Sequence, residues 1–145
     1  MNIKLVFKLL GRILSMEAAV LVLPMAVALL YHESPMPFVW SILGILCISL
    51  PLSFLPAERH FHVREGFVSV GLLWLLTGVV GGLPFYFSGY FNSFIDCVFE
   101  ASSGFTTTGA TILTNIEALP YGILFWRAFT HWLGGMGVLV LFLAL

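Results

Sequence analysis

Four threonines and two glycines lie close together in the segment GFTTTGAT, which runs from Gly104 to Thr111. The chain around this segment is 60% hydrophobic and only 9% charged, with a mean hydropathy of +1.06. Threonine hydroxyls and backbone carbonyls are oxygen donors, and a group of such oxygens can replace the hydration shell of a monovalent cation. The segment therefore predicts a cation-binding loop, provided that the surrounding elements hold its backbone open.

Thr107 and Thr108 supply both side-chain and backbone oxygens, so a cation is expected to bind beside these two residues. Gly109 can adopt backbone angles that other residues avoid, which would turn successive carbonyls toward one axis. The segment from Thr106 to Asn115 is rich in β-branched residues, which favour extended chain. Extended backbone within a membrane is tolerated only where it is buried in protein or lines a watery cavity. We therefore expect this segment to line a pore.

A short helix is predicted directly before the loop. Ser93, followed three residues later by Asp96, resembles a capping box at a helix start, and apolar residues follow. From Ser93 to Phe105 a helix would rise only about 19 Å, which is less than the about 30 Å of hydrocarbon in a bilayer. Its C-terminal end would direct a partial negative charge toward a bound cation. A re-entrant pore helix is expected here, and an interfacial or external helix is the alternative.

Four apolar runs are long enough to cross the membrane as helices, since about 20 residues span the hydrocarbon. The runs cover residues 13–30, 38–55, 67–87 and 121–145. A soluble domain normally carries about 25% charged residues. The 9% found here excludes a soluble helical bundle and predicts an all-α integral membrane protein.

The order of these runs predicts two parts joined by a loop. Residues 1–56 would form an N-terminal two-helix hairpin, and residues 57–66 a polar cytoplasmic loop. Residues 67–145 would form one helix–pore-loop–helix unit of potassium-channel-like architecture. Its expected elements are a span at 67–87, a pore helix at 93–105, a filter at 106–111 and a second span at 121–145.

The positive charges predict the orientation of the chain. Of the six Lys and Arg residues, Arg127 alone lies near the last span. The others precede the first span or lie between the second and the third: Lys4, Lys8, Arg12, Arg59 and Arg64. Because positive charge accumulates on the cytoplasmic side, the N-terminus and the 57–66 loop are expected in the cytoplasm. A net charge of -1 without a Lys/Arg cluster excludes nucleic-acid binding.

A resemblance to a known family rests on two runs, FEASSGFTTTGATIL and LFWRAFTHWLGGMGVLVL. In this order they closely resemble the Trk/Ktr/HKT superfamily of potassium-uptake proteins, whose unit is a membrane helix, a pore helix, a filter strand and a second membrane helix. The two spans in front of that unit resemble the extra N-terminal pair of the TrkH and TrkG branch. The resemblance covers essentially the whole chain.

By this resemblance, five consecutive residues fall where a potassium-channel filter has TVGYG. They are Thr107, Thr108, Gly109, Ala110 and Thr111. The first and third positions agree with the channel pattern, whereas the fourth lacks the aromatic residue and the fifth lacks the glycine. The packed aromatic cuff that stiffens a channel filter is therefore missing, which bears on discrimination between potassium and sodium.

The resemblance also implies what the whole protein does and with what it assembles. It implies potassium uptake across the inner membrane of a bacterium, with transported K+ and no cofactor, by a multi-pass subunit. It further implies a homodimer with a cytoplasmic nucleotide-binding regulatory subunit similar to TrkA. Family members carry four pore units, whereas this chain has one and reaches Leu145 within a helix. A gene product about three times longer is expected, or a truncated reading frame.

Two charged residues are predicted to support the filter. Glu100 is expected to accept hydrogen bonds from amides or hydroxyls behind the loop. The alternative is that Glu100 and Asp96 together attract cations by their negative charge. Arg127 is expected to pair with a carboxylate, either Glu100 or Glu117. His131 lies one helical turn after Arg127 and is interpreted as a packed hydrogen-bond donor rather than a proton relay or metal ligand.

Two other function classes remain to be compared with transport. An intramembrane enzyme could use Asp96, Glu100 and His131 as acid and base groups, but the sequence offers no nucleophile or metal constellation for it. We therefore predict that the chain is not an enzyme. A membrane scaffold without transport activity is the other alternative.

Overall fold

The structure is a computed structural model that describes residues 3–56 and 63–144, and of residues 63–65 and 138–144 it describes the backbone alone. Within the described part the chain forms α-helices and loops and no strand, which confirms the predicted all-α fold. Its helices are α1 (Ile3–Val20), α2 (Val22–Leu30), α3 (Met36–Ser53), α4 (Val63–Gly81), α5 (Leu83–Ser88), α6 (Phe94–Phe105) and α7 (Tyr121–Ala144). Most of the predicted cytoplasmic loop, residues 57–66, lies outside the described residues, as does Leu145.

The first predicted span is longer than expected, because the helix begins at Ile3 rather than near residue 13. Val6, Leu10 and Leu14 repeat at four-residue spacing and are buried, so the basic N-terminal segment continues the same helical face. The helix is interrupted between α1 and α2 near Pro24, which lacks the N–H that would bond to the preceding turn. Together α1 and α2 form a 28-residue apolar stretch, Ile3–Leu30.

The N-terminal hairpin is tightly packed where α1 crosses α3. A Cβ on Gly11 would lie 2.6 Å from the backbone nitrogen of Ser53, so only glycine allows this close approach. One turn further along α1, the hydroxyls of Ser15 and Ser49 are 3.0 Å apart and form a hydrogen bond. Small residues of this kind let membrane helices approach and replace side-chain bulk with close backbone contact.

The third apolar run is divided into two helices, α4 and α5. The apolar stretch Gly66–Ser88 changes from α4 to α5 at Gly82, and Pro84 follows. The indole Nε1 of Trp126 on α7 donates to the carbonyl of Gly81 at 2.9 Å. This bond satisfies a carbonyl at the break in the buried core. By length and composition this stretch, Ile3–Leu30 and α3 could each cross a membrane.

Helix α6 packs against α4, α5 and α7 and leaves Ile95 and Phe99 exposed, and glycines at its contacts allow the close fit. A Cβ on Gly78 would lie 2.5 Å from the Ser102 hydroxyl of α6. On the opposite side, a Cβ on Gly134 would overlap the carbonyl of Phe105, the last residue of α6. Both glycines therefore allow close packing against α6, and the contact of Gly134 with Phe105 lies where the chain leaves α6.

One buried carboxylate lies between the hairpin and the pore unit. Glu17 on α1 is 7% exposed and lies beside Gly81. Neither of its oxygens has a hydrogen-bond partner in the described part of the chain. Since an unpaired charge is costly in such a place, the site suits a neutral carboxyl group better than an ionised one.

Candidate ion-binding loop

The start of α6 follows the capping pattern read from the sequence. The Ser93 hydroxyl accepts a hydrogen bond from the backbone N–H of Asp96 at 3.2 Å. Ser93 itself has extended backbone angles, as an N-cap residue should. The predicted helix start is confirmed, and Asp96 lies in the first turn, where a negative charge favours the helix dipole.

The end of α6 is closed by the loop itself. The N–H of Thr107 donates to the carbonyl of Gly104, and the N–H of Thr108 donates to that of Ser103, both at 2.9 Å. This pair of bonds is the Schellman arrangement, which satisfies the last carbonyls of a helix. The segment that was expected to be extended from Thr106 therefore begins with a turn at Thr106 and Thr107.

Thr107 occupies a backbone conformation that is unusual for its type. The Schellman arrangement needs a left-handed residue after the helix, and Thr107 has φ 57° there. Glycine normally fills this position, because a β-branched side chain is strained by about 1–2 kcal/mol in it. Strain of this kind is held at functional sites by the surrounding structure.

Gly109 adopts the positive φ that the sequence analysis expected of it. Its φ is 77°, so the loop has left-handed residues at two of three consecutive positions, Thr107 and Gly109. A Cβ on Gly109 would lie 3.9 Å from Nε2 of His131 on α7. The N–H groups of Thr107, Thr108 and Gly109 all bond to carbonyls at the end of α6, while the residues themselves are exposed.

A row of exposed carbonyl oxygens follows from this backbone path. The carbonyls of Thr106, Thr107, Thr108 and Gly109 accept no hydrogen bond from any described residue. These residues are exposed. The hydroxyl of Thr106 donates to the carbonyl of Ser102 at 2.7 Å, so the 2.9 Å bond between the Thr106 and Thr108 hydroxyls has Thr108 as its donor. The Thr108 oxygen keeps its lone pairs for a ligand.

The other two predicted filter residues are bound to α6. The Ser103 hydroxyl donates to the Ala110 carbonyl at 2.6 Å. The Thr111 hydroxyl donates to Oε2 of Glu100 at 2.9 Å and accepts from the N–H of Leu113 at 3.1 Å. Both contacts tie the far end of the loop to the helix, so the exposed oxygens lie between two anchored ends.

Glu100 is a buried residue of α6 that binds both the loop and α7. Its Oε1 lies 2.6 Å from Nε of Arg127, and its Oε2 also accepts a 3.4 Å hydrogen bond from the N–H of Ile112. Arg127 thus pairs with Glu100 and not with Glu117. The carboxylate is 1% exposed, and a buried charge of this kind is stable only when it is paired and hydrogen-bonded. The pair joins α6, the loop and α7.

The groups that the enzyme alternative would need are not assembled. Glu100 is engaged by Arg127, Asp96 lies in the first turn of α6, and Nδ1 of His131 donates to the carbonyl of Arg127 at 3.0 Å. Among the described residues, no group of three or more His, Cys, Asp or Glu side chains could hold a metal ion. This part of the chain offers exposed oxygens rather than an acid–base pair.

Sequence reasoning missed two residues that shape the site. Ser103 holds the Ala110 carbonyl, but a serine in the last turn of a helix carries no signal for a contact seven residues away. Glu33, in the loop between α2 and α3, accepts hydrogen bonds from the N–H groups of Tyr121 and Gly122 at 2.7 and 2.9 Å. It caps α7 from a distance in sequence that no local motif reveals.

The described chain is all-helical, and three of its helical stretches are long and apolar enough to span a membrane. Together with α6 and its exposed loop, they define an all-α integral membrane protein. Residues 38–145 match the model of the TrkH family, whose description is cation transport protein. Because this match covers most of the chain, the chain belongs to the TrkH family of cation transport proteins.

Curated relatives agree with this assignment. The chain is 37% identical over 149 residues to the Trk system potassium uptake protein TrkH of Halomonas elongata, which covers 100% of this chain and 31% of that protein. It is 33% identical over 141 residues to an uncharacterized cation transporter of Methanocaldococcus jannaschii, over 97% of this chain and 30% of that protein. Identity to the TrkG protein of Escherichia coli K12 is 35% over 126 residues, which is 83% of this chain and 26% of that protein. The chain spans about a third of the length of these relatives.

Proposed function

We propose that the chain supplies one wall of a potassium-uptake pore. In this proposal α6 enters the membrane part way, and K+ loses its hydration water beside the loop at residues 106–111. The carbonyl oxygens of Thr107, Thr108 and Gly109 and the Thr108 hydroxyl replace that water. Ala110 and Thr111 complete the loop, and Glu100 and Arg127 hold it from behind.

The row of unbonded carbonyls at Thr106 to Gly109 is the observation that carries this proposal. Backbone carbonyls without partners are expensive in an apolar surrounding, and they persist where water or a cation takes the place of a donor. None of these carbonyls hydrogen-bonds to the Glu100–Arg127 pair, whose two charges balance one another. A cation is the ligand that matches several oxygens with no donor among them.

The names of the relatives support the choice of ion and the wider setting. Several relatives are named potassium uptake proteins of the Trk system, so we infer K+ as the cargo. By the same analogy the complete protein would work in the inner membrane of a bacterium, with its N-terminus in the cytoplasm. A homodimer with a cytoplasmic nucleotide-binding regulatory subunit similar to TrkA belongs to this proposal.

A substitution at Gly109 tests the proposed pore. The gene is expressed in a bacterium that lacks its own potassium-uptake systems, and 86Rb+ uptake is measured at limiting K+. We expect Gly109→Asp to lower uptake more than tenfold, because it adds a side chain among the coordinating oxygens and strains the backbone.

The matched control is Gly89→Asp, since Gly89 has φ 75° and open space around its Cα, but lies outside the loop. It imposes a similar backbone strain of about 1–2 kcal/mol and should leave uptake within twofold. Equal losses in the two variants, or none in Gly109→Asp at normal protein levels, would contradict the proposal.

A further inference from the structure

A groove lies at the end of the N-terminal hairpin where α1 begins and α3 ends. Its volume is about 660 Å³, and it is lined by residues of both helices, among them Lys8, Arg12, Ser53 and Phe54. It lies apart from the loop at residues 106–111 and has no part in the proposed ion path. Its lining combines two positive charges with apolar side chains, which is unusual for a chain with 9% charged residues.

The two basic residues of the groove have no protein partner in the described part of the chain. Lys8 and Arg12 are one helical turn apart, so their side chains project from the same face of α1. No described carboxylate pairs with either, and no described carbonyl accepts from them. Two adjacent like charges repel one another unless an anion lies between them.

The end of α3 does not explain these charges. Cations often lie at a helix C-terminus because its last carbonyls lack donors. Here the carbonyl of Leu50 accepts from the Ser53 hydroxyl at 2.9 Å, and that of Leu52 accepts from the N–H of Leu55 at 3.3 Å. Two of the last four carbonyls of α3 are therefore satisfied by neighbouring residues, and none of the four accepts a hydrogen bond from Lys8 or Arg12. Within the described part of the chain, both basic side chains remain available to a ligand.

The length of the first helical stretch places these charges at the level of lipid headgroups. The 28 residues of Ile3–Leu30 extend over about 42 Å, which is about 12 Å more than the hydrocarbon layer. At the far end of this stretch the rings of Tyr31 and Tyr121 stack at 4.3 Å, as aromatic residues do at a membrane surface. Measured from that surface, the hydrocarbon ends near residue 11, between Lys8 and Arg12.

Apolar side chains continue the groove toward the membrane centre. Met16 is 67% exposed, Leu50 44% and Phe54 80%, and all three line the groove. The Ser15 and Ser53 hydroxyls donate within the hairpin and offer no free donor to a polar ligand. A ligand of this groove must therefore be anionic at one end and apolar along the other.

We propose that this groove binds an anionic phospholipid. Its phosphate lies between the Lys8 ammonium and the Arg12 guanidinium, and an acyl chain follows Met16 and Leu50. Basic pockets between membrane helices are known to bind such headgroups through charge. The proposal rests on membrane insertion of the hairpin and is independent of which ion the protein carries.

Native mass spectrometry of the purified full chain in a neutral detergent tests this site. Dioleoylphosphatidylglycerol and dioleoylphosphatidylcholine are titrated separately, and the fraction of lipid-bound protein is measured. We expect the wild-type chain to bind the anionic lipid at least tenfold more tightly. The double variant Lys8→Gln/Arg12→Gln should lose about 30-fold in affinity for it, since each charge contributes to anionic-lipid binding.

Two further variants separate charge from folding. Lys4→Gln removes one charge from the same helix but outside the groove, and should change affinity less than twofold. The variant Lys8→Arg/Arg12→Lys keeps both charges and should keep the preference for the anionic lipid. It therefore tests the role of charge if Lys8→Gln/Arg12→Gln fails to fold.

Equal binding of the two lipids by the wild-type chain would overturn the proposal. Displacement of the lipid by millimolar inorganic phosphate would also overturn it, because the groove would then be a site for free anions.

Discussion

At the scale of single residues, the loop depends on atoms that face away from the proposed ion path. Glu100 binds Arg127, Thr111 and Ile112 at once and is the only described carboxylate with an ion pair. Of the residues beside the proposed ion path, Thr107 and Gly109 contribute mainly backbone geometry, through their positive φ angles. The support can therefore be tested separately from the ion-binding oxygens.

We predict that Arg127→Gln destabilises the protein by about 3–5 kcal/mol, because it leaves the Glu100 carboxylate buried without its charge partner. Thermal unfolding of the purified protein in detergent measures the loss. Adding Glu100→Gln to Arg127→Gln should recover part of the stability, since a neutral amide needs no counter-charge. The control Glu117→Gln changes an exposed carboxylate near the start of α7 and should be neutral. Additive effects of the two buried substitutions would contradict the pairing.

At the scale of elements, the position of the loop is set by how closely α6 approaches its neighbours. Glycines at 78 and 134 bring α4 and α7 against α6, and Trp126 bonds to the carbonyl at the α4–α5 break. With only 12 residues, α6 has little packing surface of its own. Its orientation therefore depends on these close contacts rather than on its intrinsic helix propensity.

We predict that Gly134→Ala costs about 1–3 kcal/mol and impairs uptake, because the added methyl group overlaps the Phe105 carbonyl and must displace the end of α6. Neighbouring Gly135 is the control, since a Cβ there would lie 3.9 Å from the Thr107 Cγ2, an ordinary contact. Gly135→Ala should leave both the melting temperature and 86Rb+ uptake close to wild type. Comparable damage from both variants would show that helix flexibility, not close packing, is what matters.

At the scale of the whole molecule, the N-terminal hairpin and helices α4–α7 are joined by side-chain bonds as well as by apolar packing. Glu33 caps the start of α7, and Tyr31 beside it stacks on Tyr121. The N-terminal pair of helices therefore helps to fix the helix that carries Arg127 and Gly134. A change in the loop between α2 and α3 should therefore weaken the start of α7.

We predict that Glu33→Ala lowers stability by about 1–2 kcal/mol, because the first amides of α7 lose a charged acceptor. Hydrogen exchange in the first turn of α7 should accelerate, which can be followed by mass spectrometry. Ser34→Ala alters the same loop without removing a described hydrogen bond and serves as the control. Unchanged exchange at Tyr121 and Gly122 in Glu33→Ala would show that other groups cap the helix.

Much of this architecture could be predicted from the sequence because its signals are local. The apolar runs predicted the long helices, and Ser93 with Asp96 predicted the start of α6. The glycine in TTTG predicted the positive φ of Gly109. These features depend on residues within a few positions of one another. The apolar run predicted a span from residue 13, whereas helix α1 begins at Ile3, because hydropathy marks where the apolar residues start and not where the helix starts.

The tertiary structure alone decided which partner each polar group has. From the sequence, Arg127 could pair with Glu100 or Glu117. In the structure its Nε lies 2.6 Å from Oε1 of Glu100. Nothing in the sequence indicated that Thr107 would take the left-handed position at the end of α6, that Ser103 would hold Ala110, or that Glu33 would cap α7. Periodicity and capping motifs act over one or two turns of chain, whereas a buried polar atom pairs with whichever donor or acceptor the packed helices bring within about 3 Å.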